Sequence, residues 1–226
     1  MREIVFDTET TGLDPEAGDR IVELGAVELS GHVPTGRTFH KYINPRRPMS
    51  PEAFEVHGLG DAFLADKPPF EEVVDEFLEF VGEAKLVAHN AAFDMKFVNA
   101  ELALCGRPML PWSRVVDTLA IARKKHPGAG NSLDALCRRF GVDNSGREKH
   151  GALLDSEILA EVYLELIGGR QPGLTLGAVQ GAPGAEAWRP RPRPAPLPPR
   201  ITEGEAAAHA AFIAELGEGA LWRRYG

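Results

Sequence analysis

The spacing of apolar residues changes along this chain from short strand-like runs to helical spacing, and the change restricts the class of fold. Up to residue 43, short apolar runs predict strands at 4–8, 21–29 and 38–43, the last two separated by a turn-rich segment at 31–36. From Phe70 to Val81 apolar residues recur at helical spacing. Beyond this helix, strands at 85–89 and 115–116 alternate with a helix that starts near Asp94 and runs through 99–105, and with helices at 117–125, 133–140 and 152–167. The pattern predicts an α/β domain with a mixed sheet.

The composition changes abruptly after Gly168 and Gly169. Residues 171–200 are rich in Pro, Gly, Ala and Arg, which disfavour regular helix and sheet interiors, so this segment is predicted to be a linker. Beyond it, Thr202 followed by Glu205 forms a capping-box pattern, which predicts a short terminal helix. The sequence thus divides into a folded domain at 1–170, a linker at 171–200 and a tail at 201–226.

The net charge of −8 is unexpected for a protein that binds nucleic acid, because phosphate-binding surfaces are usually basic. Residues 1–172 hold 19 Lys and Arg against 28 Asp and Glu, a net of −9. If such a domain acts on nucleic acid, bound cations and a partner protein must supply much of the attraction.

The remaining composition predicts a cytoplasmic protein. No signal-peptide pattern opens the sequence, and no apolar run approaches the roughly 20 residues that span a bilayer, so no membrane partner is expected. The two cysteines, Cys105 and Cys137, lie in apolar helical contexts and are expected to be buried side chains rather than a disulfide or a zinc pair.

Two acids end the first predicted strand, in the run FDTETTG. Asp7 and Glu9 are two residues apart, so their side chains leave the same face of the strand, about 7 Å apart along the chain. This spacing suits two acids that share metal ions. The alternative is a strand that simply ends in solvated polar residues.

Two further acids fall on apolar faces of predicted helices. Asp94, in HNAAFD, is either a partly buried ligand or a first-turn acid stabilised by the helix dipole. Asp155, in HGALLD, shares a face with Ile158 and Leu159, and a salt bridge to a buried arginine is its alternative role. His150 lies five residues before Asp155, in a loop where an isolated histidine is usually a surface residue.

These residues are more informative together than separately. Four carboxylates in one place carry a charge of about −4, which requires cations to offset the repulsion. Oxygen ligands without cysteine favour two Mg²⁺ or Mn²⁺ ions, which can assist phosphodiester hydrolysis. His150 is then placed to take the proton of the attacking water.

The runs FDTETTG, HNAAFD and HGALLD resemble the three motifs of the DEDDh exonuclease family, and the likeness covers residues 2–169. The resemblance implies a ribonuclease-H-like fold, a mixed five-stranded sheet flanked by helices. It implies 3′-to-5′ hydrolysis at single-stranded 3′ DNA ends. By this likeness Asp7, Glu9, Asp94 and Asp155 bind the metal ions and His150 is the general base.

The same resemblance implies a set of substrate contacts around the terminal nucleotide. These contacts involve Asp7, Glu9, Thr10, Thr11, Gly12, His57, His89, Asn90 and Asp155. A simple tight turn at Gly12 and a structural role for His57 remain alternatives.

The catalytic motifs alone do not separate DNA proofreaders from RNA-trimming or repair exonucleases, or from a catalytically silent assembly module. The appendage favours a proofreader. Gln171, Leu174 and Leu176 resemble a sliding-clamp-binding peptide, although a linker can supply such a short motif by chance. The tail, with Phe212 and Trp222, resembles a segment that binds a polymerase catalytic subunit; packing back on its own domain is the alternative.

Overall fold

The computed structural model of this protein describes residues 1–146, 149–169, 201–217 and 222. Five strands and eight α-helices occur in these residues: β1 (Arg2–Thr10), β2 (Ile21–Ser30), β3 (Val33–Tyr42), α1 (Pro51–His57), α2 (Asp61–Leu64), α3 (Phe70–Val81), β4 (Lys85–Ala88), α4 (Ala92–Leu104), β5 (Val115–Asp117), α5 (Thr118–Lys125), α6 (Leu133–Phe140), α7 (Ala152–Ile167) and α8 (Glu203–Glu215). Within the described ranges, no helix combines the length and apolar character that crossing a bilayer requires.

The five strands form one mixed sheet in the order β3-β2-β1-β4-β5. β1, β2 and β3 pair antiparallel, whereas β4 lies parallel to β1 and β5 lies parallel to β4. β1 is therefore central, and its carboxyl end lies beside that of β4. The strand order reverses between β1 and β4, and α/β sheets commonly place their sites in the crevice that opens at such a reversal.

Side chains of β1 alternate between the two faces of the sheet. Ile4 and Phe6 belong to the core that packs under α3 and α4, whereas Val5 belongs to the core that packs against α7. Continuing this alternation, Thr8 faces the α4 side and Asp7 and Glu9 face the α7 side. The side chains of both acids therefore point towards α7.

Three helices of the sheet-containing unit, α1, α5 and α6, begin at side-chain caps. Ser50 accepts a hydrogen bond from the amide of Ala53 at the start of α1, Ser132 caps α6 in the same way, and Asp117 caps α5. Because Asp117 also accepts from the amide of Asn90, this cap joins α5 to the loop after β4. The loop that carries Asn90 is thereby fixed beside the end of β1.

The predicted fold class is confirmed, and the strands and the longer helices fall close to their predicted positions. Two differences are found. β3 begins at Val33 rather than at 38, and the short helix α2 was not predicted. α4 begins at Ala92, two residues before Asp94. Cys105 is partly buried and Cys137 is buried.

The chain divides into two compact units, one that contains the sheet and α1 to α7, and a second that contains α8. The predicted capping box of α8 is present: the Thr202 hydroxyl accepts from the Glu205 amide, and the Glu205 carboxylate accepts from the Thr202 amide. Phe212 and Trp222 are both more than half exposed. The predicted linker, with Gln171, Leu174 and Leu176, lies outside the described residues.

Candidate active site

The acids of β1 lie where that central strand ends. Glu9 is buried and Asp7 is half-buried, and both line a cleft of about 620 Å³ at this edge of the sheet. Asp7 pairs with Gly25 of the neighbouring strand β2. The alternation of β1 therefore places both carboxylates in one cleft, as their spacing predicted.

Asp94 enters the cleft from the first turn of α4. Its side chain is almost fully buried, and its Oδ1 accepts hydrogen bonds from both the amide (3.1 Å) and the hydroxyl (2.8 Å) of Thr8. Burial raises the pKa of Asp94 to about 7, although the bonds from Thr8 act in the opposite direction. A cation beside this carboxylate would favour its charged form.

Asp155 lies in the first turn of α7 and is also buried. The helix can approach β2 because residue 25 is glycine: a Cβ there would lie 2.2 Å from the amide nitrogen of Leu153. The hydroxyl of Ser156 donates to the carbonyl of Gly25 at 3.0 Å and fixes the same contact. This close packing brings Asp155 to the face of the sheet that carries Asp7 and Glu9.

His150 precedes α7 and its side chain is about half exposed. Nδ1 lies 3.3 Å from Oδ2 of Asp155, and its backbone amide donates to the carbonyl of Val56 at 3.3 Å. A proton on Nδ1 suits the first contact and leaves Nε2 as the proton acceptor. The imidazole is therefore oriented by a carboxylate but remains open to solvent.

The four acids and the histidine come from three separate segments, and the fold brings them to one edge of the sheet. Ligand atoms of Glu9, His150 and Asp155 all lie within 4.8 Å of one another. Asp7, Glu9, Asp94 and His150 line the same cleft. Convergent carboxylates of this kind suit hard cations that prefer oxygen ligands, such as Mg²⁺ or Mn²⁺.

The turn after β1 forms part of the same cleft, but its residues differ in exposure. Thr10 and Gly12 line the cleft, whereas Thr11 is fully buried and its hydroxyl donates to Asp19. A Cβ on Gly12 would lie 2.3 Å from Oδ2 of Asp19, so a larger residue here must displace that carboxylate. Gly12 therefore keeps the turn compact, and its contact with the nucleotide stays a prediction.

His57 lines the same cleft as the acids. Its Nδ1 accepts from the amide of Leu59 at 3.0 Å, so Nε2 carries the proton and donates to the carbonyl of Thr10 at 3.3 Å. Burial lowers the pKa of His57, which keeps the imidazole neutral. His57 thus links α1 to the turn after β1, so it has a structural role as well as a place in the cleft wall.

His89 and Asn90 line the cleft on the side of β4. Nδ1 of His89 lies 2.9 Å from the hydroxyl of Thr118, and Asn90 adopts a left-handed backbone conformation with φ of 64°. An asparagine tolerates this conformation better than most residues. The loop therefore turns sharply away from the sheet and exposes the Asn90 side chain at the rim.

Several residues that shape the site were not predicted from the sequence. Thr8 fixes Asp94, and Gly25 and Ser156 fix the start of α7. Leu13 adds an exposed apolar side chain to the cleft. Thr8 was detectable as the polar residue between Asp7 and Glu9, but no local signal marks Gly25 as a helix contact.

A family model described as "Exonuclease" matches residues 4–163, which is most of the chain. The chain belongs to this exonuclease family. Members of the family use divalent metal ions, and the convergent acids described above fit that chemistry.

Relatives from several bacteria that share one name support the assignment. The "DNA polymerase III subunit epsilon" of Rickettsia felis is 56% identical over 174 residues, 76% of each chain. The protein of that name from Escherichia coli is 46% identical over 238 aligned residues, which cover 98% of this chain and 97% of that protein.

Solved structures show the same fold. Exonuclease X in complex with 5′-overhanging duplex DNA is 30% identical with a TM-score of 0.59, and the match covers 74% of this chain and 90% of that one. The nuclease domain of 3′hExo, described as a DEDDh family member bound to rAMP, has a TM-score of 0.64 at 21% identity, over 74% of this chain and 91% of that one. The predicted ribonuclease-H-like sheet is thereby confirmed.

Proposed function

We propose that Asp7, Glu9, Asp94 and Asp155 bind two divalent cations, Mg²⁺ or Mn²⁺, and that His150 is the general base of the 3′-to-5′ exonuclease reaction. The observation that carries this proposal is the approach of Glu9, His150 and Asp155, whose ligand atoms lie within 4.8 Å.

Charge balance supports the presence of cations. Glu9, Asp94 and Asp155 are each buried, and a buried carboxylate is costly without a compensating charge or hydrogen bonds. Thr8 offers two hydrogen bonds to Asp94, but neutral donors do not remove the repulsion between several acids. When bound, divalent cations would promote ionisation of the attacking water and stabilise the leaving oxygen of the phosphodiester.

His150 has the geometry that a general base needs. Its contact with Asp155 orients the ring and favours the protonated imidazole after proton transfer. Nε2 accepts the proton of the water that attacks the terminal phosphodiester. Because the side chain is about half exposed, it can return that proton to solvent before the next cycle.

The walls of the cleft are proposed to hold the 3′-terminal nucleotide. Thr10, Gly12 and His57 lie on one side, and His89 and Asn90 lie on the other. Exposed apolar atoms of Leu13 and Val56 provide a surface for a base. Because the side chain of Thr11 is buried, we assign it to the packing of the turn and not to a side-chain contact with the nucleotide.

We further propose that this protein is the proofreading subunit of a replicative DNA polymerase and works in the cytoplasm. The alignment with the Escherichia coli relative covers 98% of this chain and therefore extends into the tail. Phe212 and Trp222 present exposed apolar side chains that suit attachment to the polymerase catalytic subunit. A clamp-binding role for Gln171, Leu174 and Leu176 is proposed from the sequence alone.

A degradation assay tests the enzymatic part of the proposal. Single-stranded DNA, single-stranded RNA and a mismatched primer-template, each labelled at the 5′ end, are incubated with and without Mg²⁺. We expect stepwise shortening of the DNA substrates, faster than of RNA, only when Mg²⁺ is present. The Asp7→Ala, Glu9→Ala double variant should retain its circular dichroism spectrum and become almost inactive. Full activity of a folded double variant, or of the wild type in excess chelator, contradicts the proposal.

A further inference from the structure

A second cleft of about 600 Å³ lies next to the candidate active site. The two clefts share His89 and Asn90 as a common wall. The rest of the second cleft is lined by Leu119 and Arg123 from α5 and by Gly128, Ala129, Asn131 and Ser132 from the connection to α6. None of these residues was assigned to the site from the sequence, apart from His89 and Asn90.

We propose that this second cleft holds the part of the DNA strand upstream of the scissile bond, and that Arg123 binds one of its backbone phosphates. The inference rests on the proposed exonuclease function, since it concerns the path of the same substrate.

The size of the first cleft requires such a path. A volume of about 620 Å³ lies within the range of roughly 300 to 1,000 Å³ that small-ligand sites occupy. It suits one or two nucleotides, so the remaining strand of a longer substrate must leave it. The wall formed by His89 and Asn90 leads directly into the second cleft, and Asn90 is exposed at that boundary.

The charge of Arg123 is available for a phosphate. Six arginines among the described residues form ion pairs with carboxylates, and Arg123 is not one of them. The six are Arg2, Arg20, Arg37, Arg46, Arg47 and Arg107. The Arg123 side chain is exposed, and its positive charge adds to burial in lowering the pKa of His89. The guanidinium is therefore near the shared wall, in a domain whose net charge is strongly negative.

The far wall of the second cleft is held in shape by hydrogen bonds. Asn131 is buried; its Nδ2 donates to the carbonyls of His126 (3.2 Å) and Ala129 (2.9 Å). Its Oδ1 accepts from Nη1 of Arg139 at 3.2 Å, and Nη2 of Arg139 donates to the carbonyl of Gly130. These bonds fix the connection before α6 opposite Arg123, so the cleft is a built feature rather than a gap between loose loops.

Substrates of different length test the proposal. Arg123→Gln removes the charge and keeps a good helix former, and Lys124→Gln is the matched control, since Lys124 is exposed on the same helix but does not line the cleft. Steady-state kinetics with Mg²⁺ are measured on the p-nitrophenyl ester of thymidine 5′-monophosphate, which contains one nucleotide, and on oligodeoxynucleotides of two to eight residues.

We expect Arg123→Gln to raise KM roughly three- to tenfold on the longer oligonucleotides. Hydrolysis of the ester should be unchanged. The slope of log KM against log salt concentration should fall by about 0.7 on the longer oligonucleotides, the value for one phosphate contact in a single strand. The control variant should match the wild type on every substrate.

Three results overturn the proposal: equal behaviour of the two variants on the eight-residue substrate, an equal loss on the ester and the oligonucleotides, or an Arg123→Gln effect confined to binding of the polymerase catalytic subunit. Fluorescence anisotropy with a labelled eight-residue strand in Ca²⁺ separates this inference from the proposed function. Binding that requires Arg123 in a protein without hydrolytic activity supports the strand path and contradicts the exonuclease role. Ester hydrolysis together with strand binding that does not require Arg123 supports the exonuclease role and contradicts the strand path.

Discussion

Thr8 donates two hydrogen bonds to a single oxygen of Asp94, one from its backbone amide at 3.1 Å and one from its hydroxyl at 2.8 Å. The pair joins the first turn of α4 to β1. Because Thr8 lies between Asp7 and Glu9, these bonds fix the position of the third acid relative to the first two. The alternation of one strand thus serves both sides of the site: Thr8 faces α4 while its two neighbours face α7.

The raised pKa of Asp94 leads to a prediction for the metal-free protein. An unfolded aspartic acid has a pKa of about 3.9, whereas burial raises the value in the folded protein to about 7. Between these values only the folded state keeps the proton, so the free energy of unfolding should fall as the pH rises from about 4 to 7. Asp94→Asn removes this contribution and should be more stable than the wild type at pH 8, by on the order of 1 kcal/mol or more.

Urea unfolding in excess chelator at pH 5 and pH 8 measures this effect. The advantage of Asp94→Asn should be larger at pH 8, and adding Mg²⁺ should reduce or reverse it because the cation favours the wild-type carboxylate. The same stability difference at both pH values, for the metal-free proteins, is incompatible with a raised pKa.

A second prediction concerns the contact between Gly25 on β2 and the start of α7. In Gly25→Ala the new Cβ would lie 2.2 Å from the amide nitrogen of Leu153, so the start of α7 must move away from β2. We expect a loss of about 1 to 3 kcal/mol in the free energy of unfolding and a large loss of activity, since Asp155 moves with the helix. Gly146→Ala is the matched control, because a Cβ at Gly146 meets no atom of the described residues within 4 Å. Wild-type activity in Gly25→Ala would show that the contact is not needed.

Much of the fold followed from sequence because its signals are local. The helices α3, α6 and α7 carry apolar residues at regular helical spacing, and their predicted bounds agree with the structure. β3 was predicted too short because its first six residues are exposed and lack the apolar alternation that marks a half-buried strand. α2 has only four residues, too few for any periodicity to appear.

The residues of the candidate site were likewise predicted only in part from the sequence. Asp7, Glu9, Asp94, His150 and Asp155 were selected by their residue types and motifs, and the fold brings them to one edge of the sheet. Gly25 and Arg123 could not be selected, because their roles depend on which distant segment packs beside them. Thr11 was selected as a substrate contact from its motif, but its side chain is buried against Asp19.

Removal of His150 tests its role as a base. His150→Ala should lower kcat by about 10² to 10⁴ and leave metal affinity and KM nearly unchanged. His209→Ala, a change at an exposed histidine of α8, is the control and should have no effect on hydrolysis. An unaltered rate across neutral pH would assign His150 to the surface.

The tail should attach the protein to a polymerase subunit. Truncation after Arg200 is expected to leave hydrolysis of free single strands intact and to abolish co-purification with the polymerase catalytic subunit. Trp222→Ala should weaken the association by on the order of 2 kcal/mol, whereas Ile201→Ala, at another exposed apolar residue, should not. Equal binding by the full-length and truncated proteins contradicts the attachment, and unfolding of the truncated protein supports packing of the tail on its own domain.

Counting bound cations tests the central claim most directly. Free Mn²⁺ is measured by electron paramagnetic resonance during a titration of the protein, with thymidine 5′-monophosphate present to supply a phosphate. We expect two Mn²⁺ ions per chain in the wild type and a clear loss of binding in the folded Asp7→Ala, Glu9→Ala variant. A wild-type protein that binds one ion or none, or a double variant that binds as many ions as the wild type, contradicts a two-cation site at these residues.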